Sequence, residues 1–129
     1  MQRESILVID DSPINLKLIK LLLLSEGYEI RTATNAPEAL TVLETFSPSL
    51  IFMDLQLPGM SGLDLVRSLK KQPATKDIIV IALTAYAMLG DQQKAEAAGC
   101  DGYITKPIDT RALPGMVAEF LRRARKSGS

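Results

Sequence analysis

The sequence predicts an α/β domain: one parallel sheet of five strands, doubly wound with helices on both faces. Three observations carry this. Apolar runs of strand length alternate with helical patterns along the chain. The run Leu50–Met53 is apolar at every position, as a strand buried on both faces requires, and Ile78–Thr84 is rich in β-branched residues. No repeat, linker or low-complexity segment interrupts the pattern, and 129 residues suit a single domain with a core over about 4–124 and a short polar C-terminal tail.

Taken in order, Ser5–Asp11 reads as the first strand and Ser12–Ser25 as a helix. Pro13 is allowed in its first turn, where an N–H would have no helical partner. Gly27 closes that helix, and Glu29–Ala33 makes a short second strand. Asn35 is a fitting N-cap for a helix over Pro37–Thr45, with Pro37 and Glu38 in its first turn. Leu50–Asp54 is the third strand, and Pro58, Gly59 and Gly62 then stop it and permit tight turns. A helix follows over about Leu63–Lys71 and stops before Pro73. Ile78–Thr84 is the fourth strand, a helix around Leu89–Ala98 ends at Gly99, and Gly102–Thr105 is the fifth strand. The last helix occupies part of Asp109–Lys126. If Asp109 caps it, Pro114 and Gly115 fall inside, so a kink is expected, or a helix that starts near Pro114. The first helix is apolar nearly all round. Leu18, Ile19, Leu22 and Leu23 suffice for a core face and leave Ile14, Leu21 and Leu24 as scattered exposed residues or as a docking or homodimer face.

Fifteen basic residues balance fifteen acidic ones, which gives no general attraction to nucleic acid or anionic membranes. The run Leu21–Leu24 is too short to cross a bilayer, and Ile6–Ile9 is strand-sized and bounded by Asp10 and Asp11, so neither is a membrane segment or a signal peptide. The single cysteine, Cys100, excludes an internal disulfide, and without histidine a zinc site has no ligand set. The chain reads as a reduced, cytoplasmic protein. Cys100, Met88 and Met116 read as packing residues. No DNA-binding module follows the basic, then small and polar, stretch Arg122–Ser129, so no output domain is expected here.

The functional signal lies at the strand ends. The first strand ends in Asp10 and Asp11, the third in Asp54, the fourth in Thr84, and the fifth leads to Lys106 and Pro107. In a parallel sheet these ends point the same way, so the side chains converge on one rim. Three carboxylates there repel one another unless a cation joins them, and oxygen-only ligands suit Mg²⁺ before Zn²⁺. A threonine hydroxyl and a lysine ammonium suit phosphoryl oxygens, and an aspartate beside Mg²⁺ is a known type of phosphoryl nucleophile. These parts assemble into an aspartyl-phosphate site.

Through the phrases Leu-Val-Ile-Asp-Asp, Met-Asp-Leu-Gln-Leu-Pro-Gly-Met-Ser-Gly and Tyr-Ile-Thr-Lys-Pro, almost the whole chain resembles a response-regulator receiver domain, the phosphorylated half of two-component signalling. The resemblance implies a flavodoxin-like sheet of order 2-1-3-4-5. It implies that Asp54 is the phosphoacceptor and that Asp11, Asp54 and the backbone carbonyl of Gln56 bind Mg²⁺, with Asp10 nearby through water. Lys106 and Thr84 would hold the phosphoryl group. Tyr103 would swing inward and reshape the surface of helix four, strand five and helix five. The implied partners are a histidine kinase or a histidine phosphotransfer protein as donor, and a downstream effector protein. Such a chain is a signalling phosphoacceptor that catalyses only its own phosphorylation and dephosphorylation. Gln56 and Tyr86, two residues beyond Asp54 and Thr84, are best placed to admit or exclude hydrolytic water. Neither offers a strong base at neutral pH, so slow self-dephosphorylation is expected.

Two rivals fit less well. A flavin-binding electron carrier needs a phosphate-cradling loop after the first strand, and Asp-Asp-Ser-Pro would repel a phosphate. An aspartyl phosphatase would carry a second acid–base carboxylate close to its nucleophile, yet Leu55 and Gln56 follow Asp54.

Overall fold

The computed structural model of the chain describes residues 4–57, 59, 61–85 and 90–128. Five strands alternate with five helices: β1 (Ser5–Ile9), α1 (Pro13–Leu24), β2 (Glu29–Ala33), α2 (Ala36–Leu43), β3 (Leu50–Asp54), α3 (Gly62–Lys71), β4 (Ile79–Thr84), α4 (Asp91–Ala98), β5 (Gly102–Thr105) and α5 (Leu113–Gly128). The strands form one sheet of order β2-β1-β3-β4-β5, and every pair is parallel. The doubly wound fold expected from the sequence is the fold observed.

Successive strand residues supply opposite faces, so two cores form. Leu16, Ile19 and Leu23 of α1 and Leu113, Val117 and Leu121 of α5 pack on Ile6, Val8, Phe52, Ile81 and Leu83. On the other face α2, α3 and α4 cover Leu7, Ile9, Ile51, Met53, Val80 and Ala82. β3 lies at the centre of the sheet and is buried at all five positions, which accounts for its unbroken apolar run.

The helix starts explain several departures from expectation. Ser12 caps α1, its hydroxyl accepting from Asn15 N, and this sets the helical phase. The core stripe is therefore Leu16, Ile19 and Leu23, with Leu18 and Leu22 only half-buried. Ile14, Leu21 and Leu24 are 79%, 58% and 45% exposed, as the surplus of leucines foreshadowed. At the other end of the chain, the Asp109 carboxylate accepts from Arg111 N and Ala112 N and closes a turn ahead of the helix. α5 then begins at Leu113, which leaves Pro114 in its first turn, where its missing donor costs nothing. Of the two expected outcomes, the late start is the one adopted.

The first strand stops at Ile9, so Asp10 and Asp11 lie in the loop beyond it, and α3 starts one residue earlier than expected, at Gly62. Pro58, Tyr86, Met88 and Leu89 lie outside the described residues. α4 runs between Gly90 (φ 97°) and Gly99 (φ 113°), both left-handed, and has no side-chain N-cap. Among its described side chains only Ala95 and Ala98 are buried.

At the opposite rim, Lys70 Nζ donates to the Ile78 carbonyl at 2.7 Å and pairs with Asp101 at 3.1 Å, tying the end of α3 to the starts of β4 and β5. Beside it Cys100 is buried. Burial first, and then the Asp101 charge, push its thiol up to about 11, so it packs rather than reacts. Met116 is half-buried against the α5 core. Among the described residues no helix is long and apolar enough to cross a membrane.

Candidate functional site

The rim at the carboxyl ends of the strands is built by backbone bonds that continue the ladders past the strands. Asp10 N donates to the Ala33 carbonyl at 3.0 Å, Leu55 N to Leu83 at 3.0 Å, and Lys106 N to Thr84 at 2.7 Å. Each functional side chain therefore leaves a backbone already fixed by its neighbour strand. The Lys106–Pro107 peptide bond is cis.

Asp10 is fully buried, Asp54 is 2% exposed and Thr84 3%, whereas Asp11 is exposed. A buried carboxylate needs donors to compensate its lost hydration, and both have them. Asp10 Oδ1 accepts from Ser12 N at 2.9 Å, and its Oδ2 lies 2.9 Å from Lys106 Nζ and 3.4 Å from Asn15 Nδ2. Asp54 Oδ1 accepts from Gln56 N at 2.9 Å, and its Oδ2 lies 3.3 Å from Lys106 Nζ. Lys106 thus bridges two carboxylates that would otherwise face each other uncompensated.

One carboxylate oxygen each from Asp10, Asp11 and Asp54 lies within 4.8 Å of the others. Three carboxylates against the single Lys106 ammonium leave the cluster with two surplus negative charges when all are ionised. Burial raises the pKa of Asp54 most, and the Asp10 charge adds to it. The Gln56 N–H bond and the Lys106 charge oppose the rise without cancelling it. For Lys106, burial alone would lower the pKa. The hydrogen bond and charge of Asp10, with those of Asp54, outweigh burial and hold the ammonium form.

The donor set fits a hard divalent cation, being all oxygen and doubly negative. Asp10, Asp11 and Asp54 are the residues that would hold such an ion, which would supply the counter-charge that Lys106 alone does not. Gln56 follows two residues after Asp54, with its amide spent on Asp54 Oδ1 and its side chain exposed.

Tyr103 and Thr84 share a face of the sheet. Tyr103 pairs in register with Ala82, and Thr84 with Thr105, so the two side chains are diagonal neighbours. Tyr103 is half-buried against the α3–α4 core. Tyr86 lies outside the described residues.

Two contributors escape a reading of motifs. Asn15 reaches back from α1 to Asp10. Gly62, which reads as a turn glycine, instead begins α3 pressed on the backbone of Asp54: a Cβ there would lie 2.3 Å from the Asp54 carbonyl oxygen and 2.8 Å from Leu55 Cα. The only hints in sequence are an Asn three residues after a capping serine and a glycine directly after another, Ser61, whose hydroxyl accepts from Leu63 N.

The sequence model described as response regulator receiver domain matches residues 6–118. The chain belongs to that family. This receiver domain is 41% identical over 118 residues to the polar-differentiation response regulator DivK of Brucella anthropi, covering 92% of this chain and 96% of the relative. It superimposes on the CheY-like receiver domain protein of Methanospirillum hungatei with a TM-score of 0.90 at 32% identity, over 98% of this chain and 99% of that one. It also matches the receiver domain of a signal transduction histidine kinase from Syntrophus aciditrophicus, with a TM-score of 0.81 and 33% identity, over 96% and 91% of the two chains. As a receiver domain it has the general role of phosphoacceptor in two-component signalling.

Proposed function

We propose that Asp54 of this receiver domain, acting in the cytoplasm, accepts a phosphoryl group from the phosphohistidine of a histidine kinase or phosphotransfer protein, in the presence of Mg²⁺. The observation that carries this reading is the placement of Asp54: buried at the end of the central strand, between Lys106 and two further carboxylates. Asp11, Asp54 and the backbone carbonyl of Gln56 would hold the cation, with Asp10 acting through water. Bound there, Mg²⁺ offsets the carboxylate charge and the charge of the transferring group.

The remaining steps belong to side chains of this chain. Asp54 Oδ1 is committed to the Gln56 amide, so Oδ2 is the attacking oxygen. Its bond to phosphorus forms as the donor's P–N bond breaks, and the leaving imidazole keeps the electron pair and takes up a proton. Lys106 then turns to the phosphoryl oxygens, and the Thr84 hydroxyl donates to one of them. Tyr103, diagonal to Thr84, moves into the space that Thr84 vacates and alters the α4–β5–α5 surface read by an effector protein. Incubation with a panel of phosphorylated histidine kinases and phosphotransfer domains tests the reading: at least one should label the protein in Mg²⁺ and none in EDTA. Absence of labelling by every donor and by acetyl phosphate would overturn it.

The exposed stripe Ile14, Leu21 and Leu24 serves in this reading as a partner face. Changing Leu21 and Leu24 together to polar residues is expected to leave the melting temperature nearly unchanged, because both side chains already meet water. The same change should slow phosphotransfer or abolish self-association. A stability loss of about 2–5 kcal/mol per leucine, the cost of truncation in a core, would refute it.

The phosphorylated state is expected to persist, since neither Gln56 nor Tyr86 offers a base to activate water and the bulk of a tyrosine at position 86 would exclude it. Decay in Mg²⁺ buffer should be faster in Tyr86→Ala than in the wild type. Equal rates would show that Tyr86 does not set the lifetime.

A further inference from the structure

We infer that Asn15 is a positioning residue for Asp10, holding that carboxylate in place while Lys106 is engaged elsewhere; this rests on the Mg²⁺-dependent reading of the site. Asp10 is fully buried and has three donors. Ser12 N holds Oδ1 at 2.9 Å, while Lys106 Nζ at 2.9 Å and Asn15 Nδ2 at 3.4 Å share Oδ2. A carboxylate only accepts, so the amide contact is attractive with its nitrogen turned to Asp10. Lys106 also contacts Asp54, where the phosphoryl group arrives, and its ammonium is drawn there when the acceptor is loaded. Asp10 Oδ2 then keeps Asn15 as its remaining side-chain donor. The 3.4 Å contact is the longest of the three, so it has room to shorten when Lys106 leaves.

Asn15 is also well anchored for this task. Its backbone N–H is bound to the Ser12 hydroxyl in the first turn of α1, and its side chain is half-buried. It therefore links the start of α1, the helix that carries the exposed Ile14–Leu24 stripe, to the acidic cluster. Groups that orient metal-binding carboxylates without touching the metal typically change affinity by about ten- to a hundredfold when removed. A neutral amide at this distance belongs at the lower end.

The test compares Mg²⁺ affinity in the presence of beryllofluoride, which takes the phosphoryl position and draws Lys106 to it, read from amide chemical shifts, with the melting temperature in EDTA. Asn15→Leu keeps the size and removes the donor, and is expected to bind Mg²⁺ about tenfold more weakly. Asn15→Gln, with the same amide on a longer stem, should recover part of that loss. A purely structural role predicts otherwise: buried Asp10 would lose a donor, so the variant would melt lower in EDTA yet bind Mg²⁺ like the wild type. Should Asn15→Leu fail to fold, Asn15→Ala removes the amide with less bulk and is read the same way. Wild-type affinity in these variants, or equal weakening in Asn15→Gln, overturns the role of Asn15 alone. No Mg²⁺-dependent shift in the wild type itself would overturn the metal reading with it.

Discussion

Asp54→Asn is expected to abolish labelling by acetyl phosphate and by any phosphohistidine donor, while leaving the domain at least as stable as the wild type. Asparagine keeps the shape and the Oδ1 that accepts from Gln56 N, but it has no anionic oxygen to attack phosphorus. The stability expectation follows from the raised pKa. Folded Asp54 titrates above its ordinary value of 3.8, chiefly because it is buried and secondarily because Asp10 repels it. Between 3.8 and the higher folded value the native state binds more protons than the unfolded chain, so stability falls as pH rises through that window. Above that window the destabilisation is fully present, and asparagine removes it. The gain in melting temperature of the variant should therefore be largest above the window and shrink as pH falls towards 3.8. Phosphorylation read by intact mass and melting curves at several pH values check both halves. Equal labelling of the variant would overturn the assignment of Asp54.

Gly62→Ala should destabilise the domain and slow phosphorylation together. Taken as a helix position alone, the change would help, because alanine is favoured over glycine by about 1 kcal/mol. Here the added methyl would sit 2.3 Å from the Asp54 carbonyl oxygen and 2.8 Å from Leu55 Cα. Both are backbone atoms of the segment that carries Asp54 and cannot swing aside as a flexible side chain would. Overpacking of this kind costs about 1–3 kcal/mol, and more where the backbone must move, so the clash outweighs the propensity gain. A fall of several degrees in melting temperature is expected, together with a lower rate of labelling under conditions where the variant remains folded. A variant as stable and as reactive as the wild type would show that the loop yields freely.

How much of this was legible depended on whether the cause is local. Strand β3 announces itself because burial on both faces demands an unbroken apolar run, and Asp54 stands out as the first charge after it. The convergence of Asp10, Asp11, Asp54, Thr84 and Lys106 follows once the strands are taken as parallel, since parallel ends share a rim. The order in which strands sit side by side is a different matter: no spacing encodes it, and it came from resemblance. The core stripe of α1 was read correctly at Ile19 and Leu23, but it omitted Leu16 and included Leu18 and Leu22, which are only half-buried. Nearly every residue of that helix is apolar, so only the start fixed by Ser12 selects Leu16 over Leu18. Gly62 and Asn15 were missed because each acts through an approach of two segments, which the linear chain does not display.

The scant seating of α4 has a consequence for how such a surface responds. Burying a methyl group is worth about 0.8 kcal/mol, so Ala95 and Ala98 together hold the helix to the sheet by about 1.6 kcal/mol of side-chain burial. Leu113, Val117 and Leu121 of α5 contribute about 1.5–3 kcal/mol each. A hydrogen bond to a charged group is worth about 1.5–3 kcal/mol, the same size as the burial of Ala95 and Ala98 together. At that size, one such bond made only in a displaced form would offset the burial of both alanines and bring seated and displaced forms towards equal occupancy. Bounded by left-handed glycines at both ends, α4 is expected to act as a counterweight, its face a balance of occupancies that a single phosphoryl contact would tip.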